Sequence, residues 1–226
     1  VTHDRTPLVQ PAPPRSTTGS RGAWIVLLAT MVAGLAFDLS TKSWAFRTIA
    51  DAPVSIARRE VIDVGARASL EVLLPPHDPV VIVPGVLELK LVLNRGAVFG
   101  MGAGKRWFFV AFTVAAVGFC LWMFARWTTP RQRWAHAALG LILAGGLGNL
   151  YDRLVFACVR DFIHPLPGVM LPWGLEWPWG GRDLWSYVSN AADKLLLIGI
   201  GILMVHLWRT PAPGRDARPG VTPTRG

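Results

Sequence analysis

GGLGNLYDRLVFACVRDF, residues 145–162, closes a long apolar run and sets Asn149, Asp152, Arg153 and Asp161 within 13 positions. Ionisable side chains against a membrane-length apolar segment cost roughly 2.5–3.5 kcal/mol each at a helix centre, so they persist where they pair or do chemistry. A second polar cluster, Ser189–Lys194 (SNAADK), opens the last apolar run of the chain. The expectation that follows is a membrane bundle in which these two clusters meet.

Composition supports a membrane protein. Hydrophobic residues make up 52% of the 226 and charged residues 16%, against about 25% charged in a typical soluble domain. The net charge of +9 raises nucleic acid as a partner, but the basic residues flank apolar runs instead of forming one patch, which reads as a topology signal and not as nucleic-acid binding. Cys120 and Cys158 have neither metal-ligand spacing nor a disulfide framework and read as small apolar fillers. The histidines are scattered, so no metal site and no cofactor is expected.

Working outward, residues 1–22 and 209–226 are rich in Pro, Arg and small polar residues and read as disordered tails. Four spans are expected at about 23–46, 107–127, 134–154 and 187–208. Small residues at Gly140, Ala144, Gly145, Gly146 and Gly148 allow close helix packing in the third. The first span follows a long tail without a small-residue cleavage site, so it is read as a retained helix and not a removable signal. Asp38 and Lys42 lie four apart on it and share a face. They form either an ion pair at the membrane end or a brace for a polar site on neighbouring helices. Segment 47–105 alternates polar stretches with β-rich runs, Val80–Val83, Val86–Leu93 and Val98–Phe99, and turns at Asn94-Arg95-Gly96. It reads as a small hairpin-like sheet outside the membrane, in which Asn94 is either a turn residue or a substrate-facing one. Residues 164–186 are rich in Trp, Pro and Gly and form an interfacial loop. The fold class is therefore an all-α membrane bundle of four transmembrane helices plus a small extracytoplasmic β-rich element. Four spans put both termini on one side. Arginines in the tails and in the Arg126–Arg133 loop make that side the cytoplasm, so both polar clusters sit toward the outer face.

Asn149, Asp152 and Arg153 fall on one helical face, and Asn190 and Asp193 are read as i, i+3 neighbours on the last helix. If Asp161 approaches Asp193, two carboxylates in low dielectric share one proton and titrate as a unit. Such a pair suits hydrolysis: the ionised member takes a proton from water while the protonated one polarises the carbonyl under attack. Other readings stand beside it: a purely structural polar network, a proton-coupled transporter, and a serine mechanism built on Ser189 and Lys194.

Five pieces in order, FDLSTK (37–42), LNRGAVFG (93–100), GGLGNLYDR (145–153), VRDFI (159–163) and NAADK (190–194), resemble lipoprotein signal peptidase, also called signal peptidase II. The resemblance implies an intramembrane aspartic protease of the bacterial inner membrane. Such an enzyme removes the signal peptide from diacylglyceryl-modified prolipoproteins just before the lipidated cysteine, needs no cofactor and acts as a monomer among membrane lipids. Carried across by motif, Asp161 and Asp193 are the catalytic dyad. Asn94, Gly96, Asn149, Arg153 and Asn190 bind substrate or shape the site, and Asp38, Lys42 and Asp152 support it. Two departures stand out. The 32 positions from Asp161 to Asp193 exceed the family's usual distance and include the acids Glu176 and Asp183. Ser189 also precedes Asn190 where the family commonly has Phe.

Overall fold

A computed structural model of the chain describes residues 16–65, 68–96, 106–178 and 181–209. Residues 1–15 and 210–226, and with them most of the expected tails, lie outside the described residues, as does the run Val98–Phe99. Residues 16–22, placed by expectation in the N-terminal tail, carry regular structure. Thr17–Gly19 form a 3-10 turn, and Ser20 caps the first helix by accepting from the Ala23 amide at 3.3 Å. Buried Thr17 donates its hydroxyl to the Thr128 carbonyl, which fixes the start of the first helix beside the loop at residues 128–132.

The helices are α1 (Arg21–Thr48), a short α2 (Arg58–Asp63), α3 (Arg106–Trp127), α4 (Arg133–Val155) and α5 (Ala191–Arg209). Three of them, α1, α3 and α5, are long and apolar enough to cross a membrane. α4 is comparably long at 23 residues, yet it carries His136, Asn149, Asp152 and four glycines. Its lower apolarity follows from its place, since it packs along both α1 and α5 and its faces are turned inward. α1 buries one stripe, Ala23, Leu27, Gly34, Asp38, Lys42 and Ala45, at helical spacing, while Ile25, Val32, Phe37 and Trp44 face outward. α3 is peripheral and buries only Cys120, Met123 and Phe124 near its end.

Close approach requires glycine at Gly145 and Gly148 of α4. A Cβ at Gly145 would run into the Ala192 carbonyl of α5, and one at Gly148 would run into the Asp38 carboxylate of α1.

The expected hairpin is present: β1 (Val80–Val83) and β2 (Leu87–Asn94) pair antiparallel, and Gly85 takes a positive φ of 70° in the turn. A third strand, β3 (Val159–Pro165), was not expected. It pairs antiparallel with β2 on the side away from β1. The chain reaches it through Ala157, whose φ of 62° reverses direction directly after α4. β2 alternates, with Leu89, Leu91 and Leu93 turned into an apolar cluster that includes Phe46, Ile49, Val61 and Phe162. A second cluster, Leu27, Cys120, Met123, Phe124, Leu139 and Leu143, fills the opposite end of the bundle. Between the two lies a polar layer.

The last helix begins later than expected, at Ala191 and not near residue 187, and Asn190 is its N-cap rather than a residue within it. The described residues of the Trp/Pro-rich stretch 164–186, the insertion that lengthens the distance from Asp161 to Asp193, are braced as a loop. Met170 bridges Asp183, the Leu184 amide donates to the Val169 carbonyl at 2.6 Å, and Pro172–Gly174 make one 3-10 turn.

Candidate active site

The polar layer has two parts. The inner part is a chain of buried charges across three elements: Asp38 and Lys42 on α1, Asp152 on α4 and Arg160 on β3. Lys42 Nζ lies 2.8 Å from Asp38 and 3.3 Å from Asp152, and Arg160 Nη2 lies 2.8 Å from the other oxygen of Asp152. Two acids and two bases balance, as buried charges require. Asp38 also accepts the Ala192 amide at 2.8 Å, satisfying a donor of the first turn of α5 that the helix leaves open. The Asp38–Lys42 pair is thus a brace among neighbouring helices and not a pair at the membrane surface.

The outer part holds Asp161 and Asp193. Adjacent residues of a strand point to opposite faces, so β3 sends Arg160 to Asp152 and Asp161 the other way. Asp193 stands in the first turn of α5, where it and Asn190 cap each other. The Asn190 amide donates to Asp193 Oδ2 at 3.1 Å, and Asn190 Oδ1 accepts the Asp193 amide at 3.2 Å. Asn190 also donates Nδ2 to Asp161 Oδ1 at 2.6 Å and to Asn149 Oδ1 at 3.1 Å, and Asn149 Nδ2 donates to Asp193 Oδ1 at 2.9 Å. Two amides therefore link the two carboxylates. Asn149 Oδ1 also accepts from Lys42 at 3.1 Å, joining the outer part to the inner one.

Asn94, the last residue of β2, donates Nδ2 to Asp161 Oδ2 at 3.0 Å and accepts the Gly96 amide at 2.8 Å, so it is both turn residue and site residue. Gly96 has a φ of 102° and lies against the Phe109 ring, where a side chain has no room. Arg153 gives one Nη to the Asn149 carbonyl of its own helix, and its guanidinium rests 5.3 Å from the Phe109 ring centroid. Its Nε is buried without a hydrogen-bond partner among the described residues. Every predicted site residue is accordingly in this layer or at its rim.

Asp161 is fully buried, whereas Asp193 is half-buried. Burial, then the charge of Asp193, pushes the Asp161 carboxyl from its ordinary 3.8 up to about 7, against the opposing hydrogen bonds from Asn190 and Asn94. Tyr187 is a further neighbour that the sequence did not mark. Burial and then the charges of Asp161 and Asp193 raise its phenol, which shares a hydrogen bond with Asn94. Arg160 was also missed, although it stands inside a motif already quoted. Its partner Asp152 is far enough along the chain that only the turn at Ala157 brings them together.

The serine reading loses its geometry. Ser189 Oγ donates to the Ile163 carbonyl at 3.2 Å, and Lys194 Nζ lies over the Trp185 ring, 5.8 Å from its centroid. Glu176 and Asp183 stay on the insertion, outside the network of the two carboxylates among the described residues. The Cys158 thiol is buried and pushed up to about 12, mainly by burial, as an inert filler would be. Among the described residues no group of three or more His, Cys, Asp or Glu is arranged to hold a metal ion.

The chain is similar to known proteins in sequence and in fold. Lipoprotein signal peptidase of Desulfitobacterium hafniense (strain DSM 10664 / DCB-2) is 35% identical over 130 residues, 57% of this chain and 73% of the relative. That of Symbiobacterium thermophilum is 35% identical over 131 residues, 58% of this chain and 76% of the relative. A bacterial membrane enzyme solved by the in meso method at 1.9 Å resolution has the same fold at a TM-score of 0.54, with 22% identity over 82% of this chain and 94% of the other. A second such structure, at 2.3 Å resolution, aligns with a TM-score of 0.53 and 22% identity over 81% of this chain and 87% of the other. The family model described as signal peptidase (SPase) II matches residues 30–209, which include both acids and both parts of the polar layer. The chain belongs to the signal peptidase II family of membrane proteases.

Proposed function

We propose that the chain is an aspartic endopeptidase that removes signal peptides from diacylglyceryl-modified prolipoproteins, cutting before the lipidated cysteine with water as nucleophile. The observation that carries this reading is the pair Asp161 and Asp193, on a strand and a helix respectively, linked through Asn190 and Asn149. Charge counting favours a single shared proton. Among the described residues the layer holds four acids, Asp38, Asp152, Asp161 and Asp193, and three bases, Lys42, Arg153 and Arg160. One proton makes it neutral, and Asp161, the fully buried member raised to about 7, is the one that keeps it.

In the forward step the half-buried Asp193 carboxylate takes a proton from water as the water oxygen attacks the scissile carbonyl carbon. Protonated Asp161 donates to the carbonyl oxygen, giving a neutral diol with no metal and no covalent intermediate. Collapse then breaks the C–N bond: Asp193 gives its proton to the leaving amine, and one diol proton returns to Asp161. The dyad ends as it began. Arg153, whose Nε has no partner among the described residues, is suited to hold a backbone carbonyl of the substrate.

The same reading makes α4 the fourth span, with both termini in the cytoplasm and the dyad toward the outer face. The fixing of the N-terminal turn to the α3–α4 loop supports this, because it gathers Arg126, Arg131 and Arg133 at the end of the bundle away from the sheet. The test is cleavage of a diacylated precursor by purified protein in detergent, followed by gel shift. Turnover without a sealed membrane separates a protease from a transporter, and a tight complex without turnover would speak for a scaffold.

A further inference from the structure

We propose that the slot between the Trp/Pro-rich insertion and α5 seats one acyl chain of the lipidated substrate. This rests on the peptidase reading and names where part of its substrate lies. The slot has a volume of about 460 Å³ and is lined by Trp177, Leu184, Trp185, Tyr187, Leu196 and Leu197, with Asp193 the one carboxylate on its wall among the described residues. Its volume falls within the roughly 300–1,000 Å³ of ordinary ligand pockets.

The chemistry of the walls selects the occupant. Trp185 spends its indole N–H on the Tyr187 carbonyl at 2.7 Å, and Trp177 spends its own on the Asp183 carbonyl at 2.9 Å. The Tyr187 phenol shares a hydrogen bond with Asn94. Apart from the Ser186 hydroxyl and the Asp193 carboxylate, the walls are left apolar. A peptide entering such a slot carries an N–H and a C=O at every residue and would leave them unpaired. A hydrocarbon chain has nothing to satisfy.

Continuity points the same way. Asp193 is in the first turn of α5, and Leu196 and Leu197 lie one turn further into the helix that qualifies as a membrane span. Leu197 is 61% exposed, and Ile198, Ile200 and Met204 continue an exposed apolar surface beyond it. An occupant can thus slide in from the bilayer along α5 and stop beside the reacting carboxylates. That is the position required of a chain attached to the residue next to the scissile bond. The walls are held before anything binds: Lys194 lies over the Trp185 ring, and His164 bonds the Trp185 carbonyl at 3.3 Å and Glu88 at 2.7 Å.

The experiment compares precursors carrying two palmitoyl or two octanoyl chains on the cysteine, using wild type, Trp185→Ala, and Ser186→Phe, which fills the slot from its rim. Burial of each methylene changes affinity by about fourfold. Wild type should therefore show a lower KM for the long-chain precursor, and both variants should compress the long-to-short KM ratio by about tenfold. A diazirine at the end of the acyl chain should label residues 177–197. An unchanged ratio in both variants, or a label on α1 or α3, overturns the proposal. A ratio that responds to the peptide side chain instead of the acyl length overturns it in favour of a peptide subsite. If wild type cleaves neither precursor while the label still falls in the slot, the peptidase reading fails and the slot stands. If cleavage proceeds with the label elsewhere, the reverse holds.

Discussion

Replacing Asp161 by asparagine tests the shared proton through stability as well as activity. The folded chain holds the Asp161 carboxyl near 7, whereas the unfolded chain returns it to about 3.8. Between those values the unfolded chain releases a proton that the folded chain keeps. Folding is then favoured at the acid end, loses ground as pH rises through the window, and levels off above about 7. At roughly 1.4 kcal/mol per pH unit the full displacement is worth about 4 kcal/mol, an upper bound because Asp193 shares the proton. The amide of the Asp161→Asn variant cannot ionise and gives no such slope. It also offers one acceptor where Asp161 receives two donors, Asn190 at 2.6 Å and Asn94 at 3.0 Å, so one donor is orphaned at a pH-independent cost of about 1–3 kcal/mol. Asp161→Asn should consequently unfold more easily than wild type at pH 4, and the gap should close or reverse by pH 8. Apparent Tm in detergent at one fixed heating rate reads this, with precursor cleavage followed in parallel. Cleavage should be lost at every pH. A Tm gap that stays constant from pH 4 to 8 would refute the reasoning, because Asp161 would then titrate as an ordinary carboxyl.

Asp193→Asn should lower kcat by roughly 10²–10⁴ while the protein still inserts, because the amide oxygen can keep accepting the Asn190 backbone N–H; near-wild-type turnover of the purified variant would remove Asp193 from the dyad. Lys42→Met leaves Asp38 and Asp152 buried and short of their shared cation, so a loss of about 3–5 kcal/mol is expected in unfolding measurements. Gly148→Ala drives a methyl into the Asp38 carboxylate and should lower both Tm and activity, whereas the same change at Gly118, where a Cβ meets nothing within 4 Å, should alter neither.

The helices were legible because uncharged runs of membrane length leave few alternatives, and α1, α3 and α5 fall close to their expected ranges. α4 lies within one residue of its expected range at each end. Its glycines and polar residues lower its apolarity because it is the most enclosed helix of the bundle. Asp161 and Asp193 were found as motif residues, but what joins them was not. Pairing of β3 with β2 links positions such as Val92 and Asp161, which stand far apart in the chain, and a seven-residue strand beginning VRDF carries no alternation that separates it from a loop. Expecting the last helix from residue 187 obscured the role of Asn190, whose type is one of the strongest N-cap signals and which here ends the extended chain. Tyr187 had no signal of its own; its importance comes from burial next to two acids that only the folded chain supplies.

The two acids stand on different elements: Asp161 on a sheet that rests against the end of α1, and Asp193 on the first turn of α5, a helix long and apolar enough to cross a membrane, with the Ile163–Ser189 hydrogen bonds and the asparagine links between them. Hydrophobic mismatch acts on the second far more than on the first, because a thicker or thinner bilayer changes the tilt of α5. Under the proposed mechanism, that tilt bears on the gap across which the two acids share a proton. The expectation is that bilayer composition controls turnover without altering a side chain, so that rates in short-chain and long-chain lipids differ.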